Sequence, residues 1–415
     1  MTKDELEKKS FLTNYLEYTK CQESPTDFHF WIACTLIGAA TQRKVYYDQH
    51  FFKLYPNLYT GVVAESAICK KSTAMDLGMS LFAEAMADEP IGDKIVQGKI
   101  TPKGLIKKIC PGKKDEVGGM VFIQADEMGV FFGQDMINLG IIDLITSLYM
   151  CKDRHEYITA EAGSFLVRNS FINILTGGVP SYLRKSVGSV FEEGLIGRMS
   201  FVRREEPHMS IADIARIVDL DRLNLLREVL IKQLRGISKK EGSFSMTDEA
   251  FGVYEKWYKS IRGDSVERSI TSGFIGRKGD HARKMAMILS LAASPLSDDP
   301  LVIDTKTIYA GIQTAKDMER DLKDIFEQVP AKDIFEGQKM LEQFIRKSGR
   351  VSRTLISRKF HGKILPEHFD VIIASLERPG IIQMASDGRT TFYYYVPEEY
   401  RDLSLEERLK KIKGE

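Results

Sequence analysis

The stretch GVVAESAICKKSTAMDLG, Gly61–Gly78, decides how the chain is read. A phosphate-binding loop runs strand, G-x-x-x-x-G-K-S/T, helix, so that backbone N–H groups and the start of the helix enclose an anion. Here Lys71 and Ser72 take the last two places, while Glu65 and Lys70 stand where the two glycines belong. The context is right: a strand-like LYTGVVA precedes the loop and STAMDLGMSLFAEAM follows as a helix, with small Ala64, Ser66 and Ala67 permitting a close turn. On a functional reading Ser66, Ala67, Ile68, Cys69, Lys70, Lys71, Ser72 and Thr73 surround a nucleotide. Lys71 meets the β/γ-phosphates, Ser72 offers an oxygen to Mg²⁺ and Lys70 adds positive charge. Glu65 fits only if its carboxylate points away. The plainer reading is a solvated KKST helix start.

Three features downstream favour the nucleotide. MVFIQADEMG ends an apolar strand in Asp126 and Glu127, the arrangement in which one carboxylate reaches the metal and a second polarises the attacking water. A surface turn is the ordinary explanation of such an ending. FINILTGG ends in Thr176, placed to sense a γ-phosphate or to form part of a turn. SVFEEGLIGRMSFV presents Arg198, an expected finger toward a neighbouring subunit's nucleotide, with Arg184, Lys185, Arg203 and Arg204 as competitors.

Outward from this segment, the chain reads as five regions. They are a helical lead-in at 1–52, an α/β nucleotide-binding core at 53–205, a helical subdomain at 206–337, a winged-helix-like domain at 338–400 and a charged tail at 401–415. Within the helical subdomain, ARIVDLDRLNLLREVLIKQL and HARKMAMILSLAA carry helical periodicity, and Asp304 or Thr305 caps the helix that follows. A length of 415 residues exceeds what one core usually serves. Lys+Arg 59 against Asp+Glu 58 excludes a general polycation, so any nucleic-acid surface is local. Five cysteines at no metal-like spacing point to a reducing compartment, and the absence of a long apolar run to a soluble, cytoplasmic protein with no membrane partner. His155 and His281 have no ligand-spaced partners and are assigned to structure.

The motifs AESAICKKSTAMDLG, FIQADEMGVFF, ILTGGVPSYL, GLIGRMSFV and HARKMAMILSLAA together resemble the DUF3987 family of P-loop proteins, related to RecA-like and replicative helicase ATPases of phages and mobile elements. The resemblance spans roughly residues 20 to 325. It implies a RecA/AAA-like sheet, ATP and Mg²⁺ as cofactors, Lys71 as the loop lysine, Ser72 and Thr73 as its hydroxyls, Asp126 and Glu127 as the acidic pair and Arg198 as the arginine after the GLIGR turn. Glu65, Ala67 and Cys69 depart from the family pattern.

At the far end, Arg346, Lys347, Arg350, Arg353, Arg358, Lys359 and Lys363 form a basic helix pair, and Arg389 sits near the tip of the hairpin IIQMASDGRTTFYYYVP. The helix from Pro366 carries little positive charge, which favours phosphate contact over base reading; docking onto a protein is the alternative. The expectation is an ATP-dependent motor or helicase-like ATPase acting on single- or double-stranded DNA, assembled as a homo-oligomer such as a hexameric ring. The alternative is a DNA-binding replication initiator or regulator that binds nucleotide without hydrolysing it.

Overall fold

The computed structural model describes residues 2–110, 119–132, 136–159, 163–186, 193–261, 272–326, 331–360, 364, 366–377, 379–387, 390–401, 403, 407, 410 and 411. The chain divides into two units, Met1–Phe326 and Glu327–Glu415.

The first unit is a mixed α/β fold around five parallel strands: β1 Tyr59–Val63, β2 Ile95–Gln97, β3 Met120–Ala125, β4 Phe171–Gly178 and β5 Met199–Arg203. Their order across the sheet is β2-β3-β4-β1-β5. Every residue of β1, β3 and β4 is buried. A parallel sheet covered on both faces needs such unbroken apolar runs, which is why these three strands stand out in the sequence.

Helices α1 Phe11–Thr19, α2 Thr26–Ala40, α3 Lys71–Ala85 and α4 Leu220–Ser238 pack against one another, while α5 Lys278–Ala293 pairs with α6 Thr305–Phe326, which also lies along β5. Their starts are chemically marked. Ser10 Oγ accepts the Thr13 N–H at 3.0 Å, Asp219 accepts that of Arg222 at 3.0 Å, and Asp304 that of Thr307 at 2.7 Å, so Asp304 is the cap of α6. Asp219 also explains why the ARIVD segment is not part of α4: only a short 3₁₀ turn, Ile214–Arg216, precedes the cap. One hydrophobic core runs from Leu6 and Phe11 through the sheet to Ile325 and Phe326. The lead-in and the helical region therefore share the core of the sheet.

Register aligns the strand ends. Val63 pairs with Gly178 and with Arg203, and Ala125 with Thr176. The carboxyl edge is then laced together: Ala64 N–H donates to Gly178 O at 3.2 Å and Arg204 N–H to Val63 O at 3.0 Å. The chain leaves β1 toward β2 at one edge and leaves β4 toward β5 at the other. Adjacent strands whose connections diverge in this way open a crevice at their carboxyl ends.

The second unit runs α7 Ala331–Ser348, β6 Arg350–Ser352, α8 Arg353–Lys359, α9 Pro366–Glu377, β7 Ile382–Asp387 and β8 Thr390–Tyr395. Its antiparallel sheet has the order β6-β8-β7. Leu341 and Ile345 of α7 belong to the core of this unit with Val351, Ile372 and Tyr393. The division accordingly falls between Phe326 and Glu327, ahead of the expected 337/338.

Gly78 marks a close approach of α3 to α1 and α2: a Cβ there would lie 2.5 Å from Ile32 Cγ2 and 2.8 Å from Tyr15 Oη. An exposed helical Gly→Ala change stabilises by about 1 kcal/mol. Gly78→Ala is expected to do the opposite, lowering the urea midpoint of the first unit by an amount corresponding to about 1–3 kcal/mol of overpacking.

Candidate functional site

The loop between β1 and α3 turns without glycine. Ala67 has φ 63° and Lys70 φ 47°, both left-handed, while Glu65 has no positive φ. The second expected glycine position thus adopts the glycine conformation with a lysine in it, and the other left-handed residue is Ala67. Each such residue costs about 1–2 kcal/mol that the surroundings must offset. Lys71 opens α3, and its ammonium donates to Ala64 O at 2.7 Å and Glu65 O at 3.1 Å. Burial pulls this group below the ordinary lysine value, against the opposing influence of Cys69, Glu127 and Glu65. The N–H groups of Lys71, Ser72 and Thr73 stand in the first turn, where a helix has no carbonyl of its own to offer them. No acidic residue occupies that turn, so the positive end of the helix dipole is undiminished there.

A cleft of about 440 Å³ opens over this turn. Ser66, Ala67, Lys70, Lys71, Ser72 and Thr73 form one wall; Asp126, Glu127, Met128 and Gly129 continue it past the end of β3, and Gly178, Val179 and Tyr182 past the end of β4. Glu65 is exposed outside the lining, so its carboxylate does not occupy the anion space. Asp126 and Glu127 are both exposed into solvent at the edge of β3. Partial burial raises Asp126 above the ordinary carboxylate value, and the neighbouring charges of Asp76 and Glu127 raise it further. Gly177 of β4 lets the Asp126 backbone approach closely: a Cβ on it would press on Asp126 O. Behind the cleft, Gln124 Nε2 donates to Asp76 Oδ1 at 2.6 Å and Gln124 Oε1 accepts from Gln97 Nε2 at 3.0 Å, tying β3 to α3 and β2.

Among the described residues no group of three or more His, Cys, Asp or Glu side chains could hold a metal unaided. Ser72 and Asp126 on one cleft nonetheless suit Mg²⁺, which usually takes one or two protein oxygens and fills its remaining positions with water and phosphate.

Four residues expected at the nucleotide, Thr176, Arg198, Ile68 and Cys69, do not line the cleft. Thr176 is fully buried, pairs with Ala125 and Gly61, and its hydroxyl faces Gly177 O at 3.4 Å; it lines no part of the cleft. Arg198 precedes β5 and so lies at the amino edge of the sheet, opposite the cleft. Its guanidinium donates to Gly194 O and lies 5.9 Å from the centroid of Tyr149, half-buried, with burial and then Arg277 lowering its pKa. Neither presents a free group to a phosphate. Arg204, a competitor for the finger role, instead braces the loop edge through Asp27 and, at 3.0 Å, Asp321. Ile68 is exposed and absent from the cleft lining, and Cys69 is buried with its thiol facing Arg204 O at 3.8 Å.

His281 is structural, stacked on Phe274 with Nε2 3.0 Å from Gly197 O, and burial pushes it down to about 4. The cations beside it are committed internally: Lys278 to Glu319, Arg283 to Asp280 at 2.7 Å and Lys284 to Asn57.

In the second unit Arg346, Lys347, Arg350, Arg353, Arg358 and Lys359 are all exposed. Arg346 lies over Tyr395, Arg350 3.7 Å from the centroid of Phe392 and Lys359 4.1 Å from that of Phe344. Arg353 is paired with Asp370 of α9 at 2.6 Å, so α9 brings negative charge to this face. Lys363 and Arg389 lie outside the described residues.

No protein-family model and no curated protein matches the chain. The expected membership of a mobile-element ATPase family therefore has no family model behind it. Among solved structures, two of the Aeropyrum pernix ORC2 protein, one as ADPNP-ADP complexes and one in the ADP form, are similar at 12% identity over 86% of this chain and 87% of that one, each with a TM-score of 0.22. A likeness at that TM-score carries no argument here. Among the described residues no helix is long and apolar enough to cross a membrane.

Because the fold raises the Asp126 pKa, its ionised form is disfavoured relative to the unfolded chain, and stability falls as pH rises from the ordinary carboxylate value through the raised one. Asp126→Asn is expected to melt at the same temperature as the parent at low pH and slightly above it at neutral pH without metal. Thermal melts across that range check the sign.

Proposed function

We propose that the cleft binds a nucleoside triphosphate with Mg²⁺ and that the chain is a nucleotide-dependent, DNA-associated replication initiator or regulator. The reading is carried by one observation: Lys71, Ser72, Asp126 and Glu127, drawn from two segments more than fifty residues apart, line one cleft at the carboxyl edge of the parallel sheet. Lys71 neutralises phosphate charge, the first turn of α3 donates its N–H groups to phosphate oxygens, and Lys70 adds a second cation at the cleft wall. Ser72 and Asp126 hold Mg²⁺, which when bound offsets charge on the phosphates. If the chain hydrolyses the nucleotide, Glu127, exposed beside Asp126, is the group that orients or deprotonates the water.

A motor is the second reading, favoured by the exposed Glu127. The initiator or regulator is preferred because, of the residues expected to couple phosphate state to a neighbour, Thr176 is fully buried and the half-buried Arg198 is engaged with Gly194 O. The α-β-α-α-β-β order of the second unit supports a winged-helix-like module, and its exposed cations support phosphate contact more than base reading.

Lys71→Ala is expected to abolish binding of a fluorescent ATP analogue, and Glu127→Gln to retain it. Hydrolysis stimulated by single-stranded DNA and lost in Glu127→Gln selects the motor; DNA affinity that changes with bound nucleotide, without turnover, selects the regulator. Nucleotide affinity unchanged in Lys71→Ala contradicts both.

Lys347 and Arg358 are exposed cations of α7 and α8. Reversing either to Glu is expected to weaken DNA binding similarly for unrelated sequences, and to reduce the slope of log affinity against log salt by about one. A filter-binding or anisotropy series from low to moderate salt reads both.

A further inference from the structure

Lys70 is left-handed without being glycine, and contacts from outside the loop hold it there. Ser24, buried in the turn between α1 and α2, donates its hydroxyl to Lys70 O at 3.2 Å. The same carbonyl takes the Ala74 N–H at 3.1 Å, the first backbone bond of α3. Orientation of this one peptide therefore sets where α3 begins and where its unpaired N–H groups point.

The turn that carries Ser24 is itself fixed. Glu23 O accepts the His208 N–H at 2.8 Å, Glu23 Oε1 accepts the Ile211 N–H at 3.1 Å, and Glu23 Oε2 stands 4.0 Å from Lys70 Nζ. The Ser24 hydroxyl is thus presented from a rigid anchor rather than from a free terminus.

We infer that Ser24 is a positioning residue for the phosphate loop, its hydroxyl holding Lys70 in the conformation that a glycine would adopt unaided. This rests on the nucleotide reading of the cleft. The consequence is chemical: the position keeps a cationic side chain on the cleft wall, which glycine cannot supply, while the cradle keeps its shape. A net hydrogen bond is of the same order as the intrinsic disadvantage of a left-handed lysine. Removing the hydroxyl therefore tips residue 70 toward other conformations. With glycine at that position no such disadvantage exists, and the loop stays populated without the hydroxyl.

The test is a double-mutant cycle in the full chain with Ser24→Ala and Lys70→Gly, reading affinity for a fluorescent ATP analogue with Mg²⁺ and, without nucleotide, amide exchange over 66–71. Ser24→Ala is expected to weaken binding about fivefold in the parent and less than about twofold in the Lys70→Gly background. Ser24→Thr, which keeps the hydroxyl, is expected to bind as the parent does. Equal weakening by Ser24→Ala in both backgrounds overturns the inference. If no chain binds nucleotide, the nucleotide reading fails, and exchange alone decides the positioning role: Ser24→Ala must accelerate it more in the parent than in the Lys70→Gly background, and an equal or absent acceleration overturns it.

Discussion

Everything at the candidate site depends on the strand order β2-β3-β4-β1-β5 and its register. Because β4 lies between β1 and β3, the loop lysine and the acidic pair are held one strand apart, facing a common opening rather than each other's side chains. Gly177 sets how tightly that arrangement closes, since any Cβ at that position would press on the Asp126 carbonyl. The separation leaves the Lys71 ammonium on backbone carbonyls and, across the same cleft, Asp126 with a pKa raised by partial burial and then by Asp76 and Glu127.

Polar geometry is kept in place by buried contacts that do no chemistry. Arg204 ties β5 to α2 and α6 through Asp27 and the buried Asp321, and its backbone joins both Val63 and Cys69. Gln124 links β3 to the body of α3 through Asp76. A loop without glycine has little conformational freedom of its own to reach this shape, so its form is imposed by the elements around it. The left-handed backbone at Ala67 and Lys70 is where that strain is stored.

Much of this was legible in the sequence. YTGVV, GGMVFIQAD and SFINILTGG could be read as strands because a doubly covered parallel sheet demands continuous apolar runs, and α3 followed from the small and apolar periodicity after Lys71. The edge strands β2 and β5 were not legible: β2 is only Ile95–Gln97, and β5 ends in an arginine. Nor was the hairpin Arg154–Thr159 with Gly163–Arg168, whose mixed charges carry no clear period. At the site, Lys71, Ser72, Asp126 and Glu127 could be found by motif because spacing along the chain reports the ends of strands. The burial of Thr176 and the internal pairing of Arg198 could not, since both depend on partners distant in sequence. Ser24, Asp27 and Asp321 carry no local signal for the same reason.

The central claim is that one triphosphate sits on the loop of β1 and reaches the acidic end of β3. Isothermal titration of the full chain with ATP, with and without Mg²⁺, tests it most directly when repeated on Gly177→Ala, whose added methyl group on β4 presses on the Asp126 carbonyl and displaces the acidic end of β3. One site per chain is predicted, tighter with Mg²⁺ in the parent and losing that dependence in the variant. Absence of binding to the parent, or Mg²⁺ dependence identical in both chains, would contradict the account.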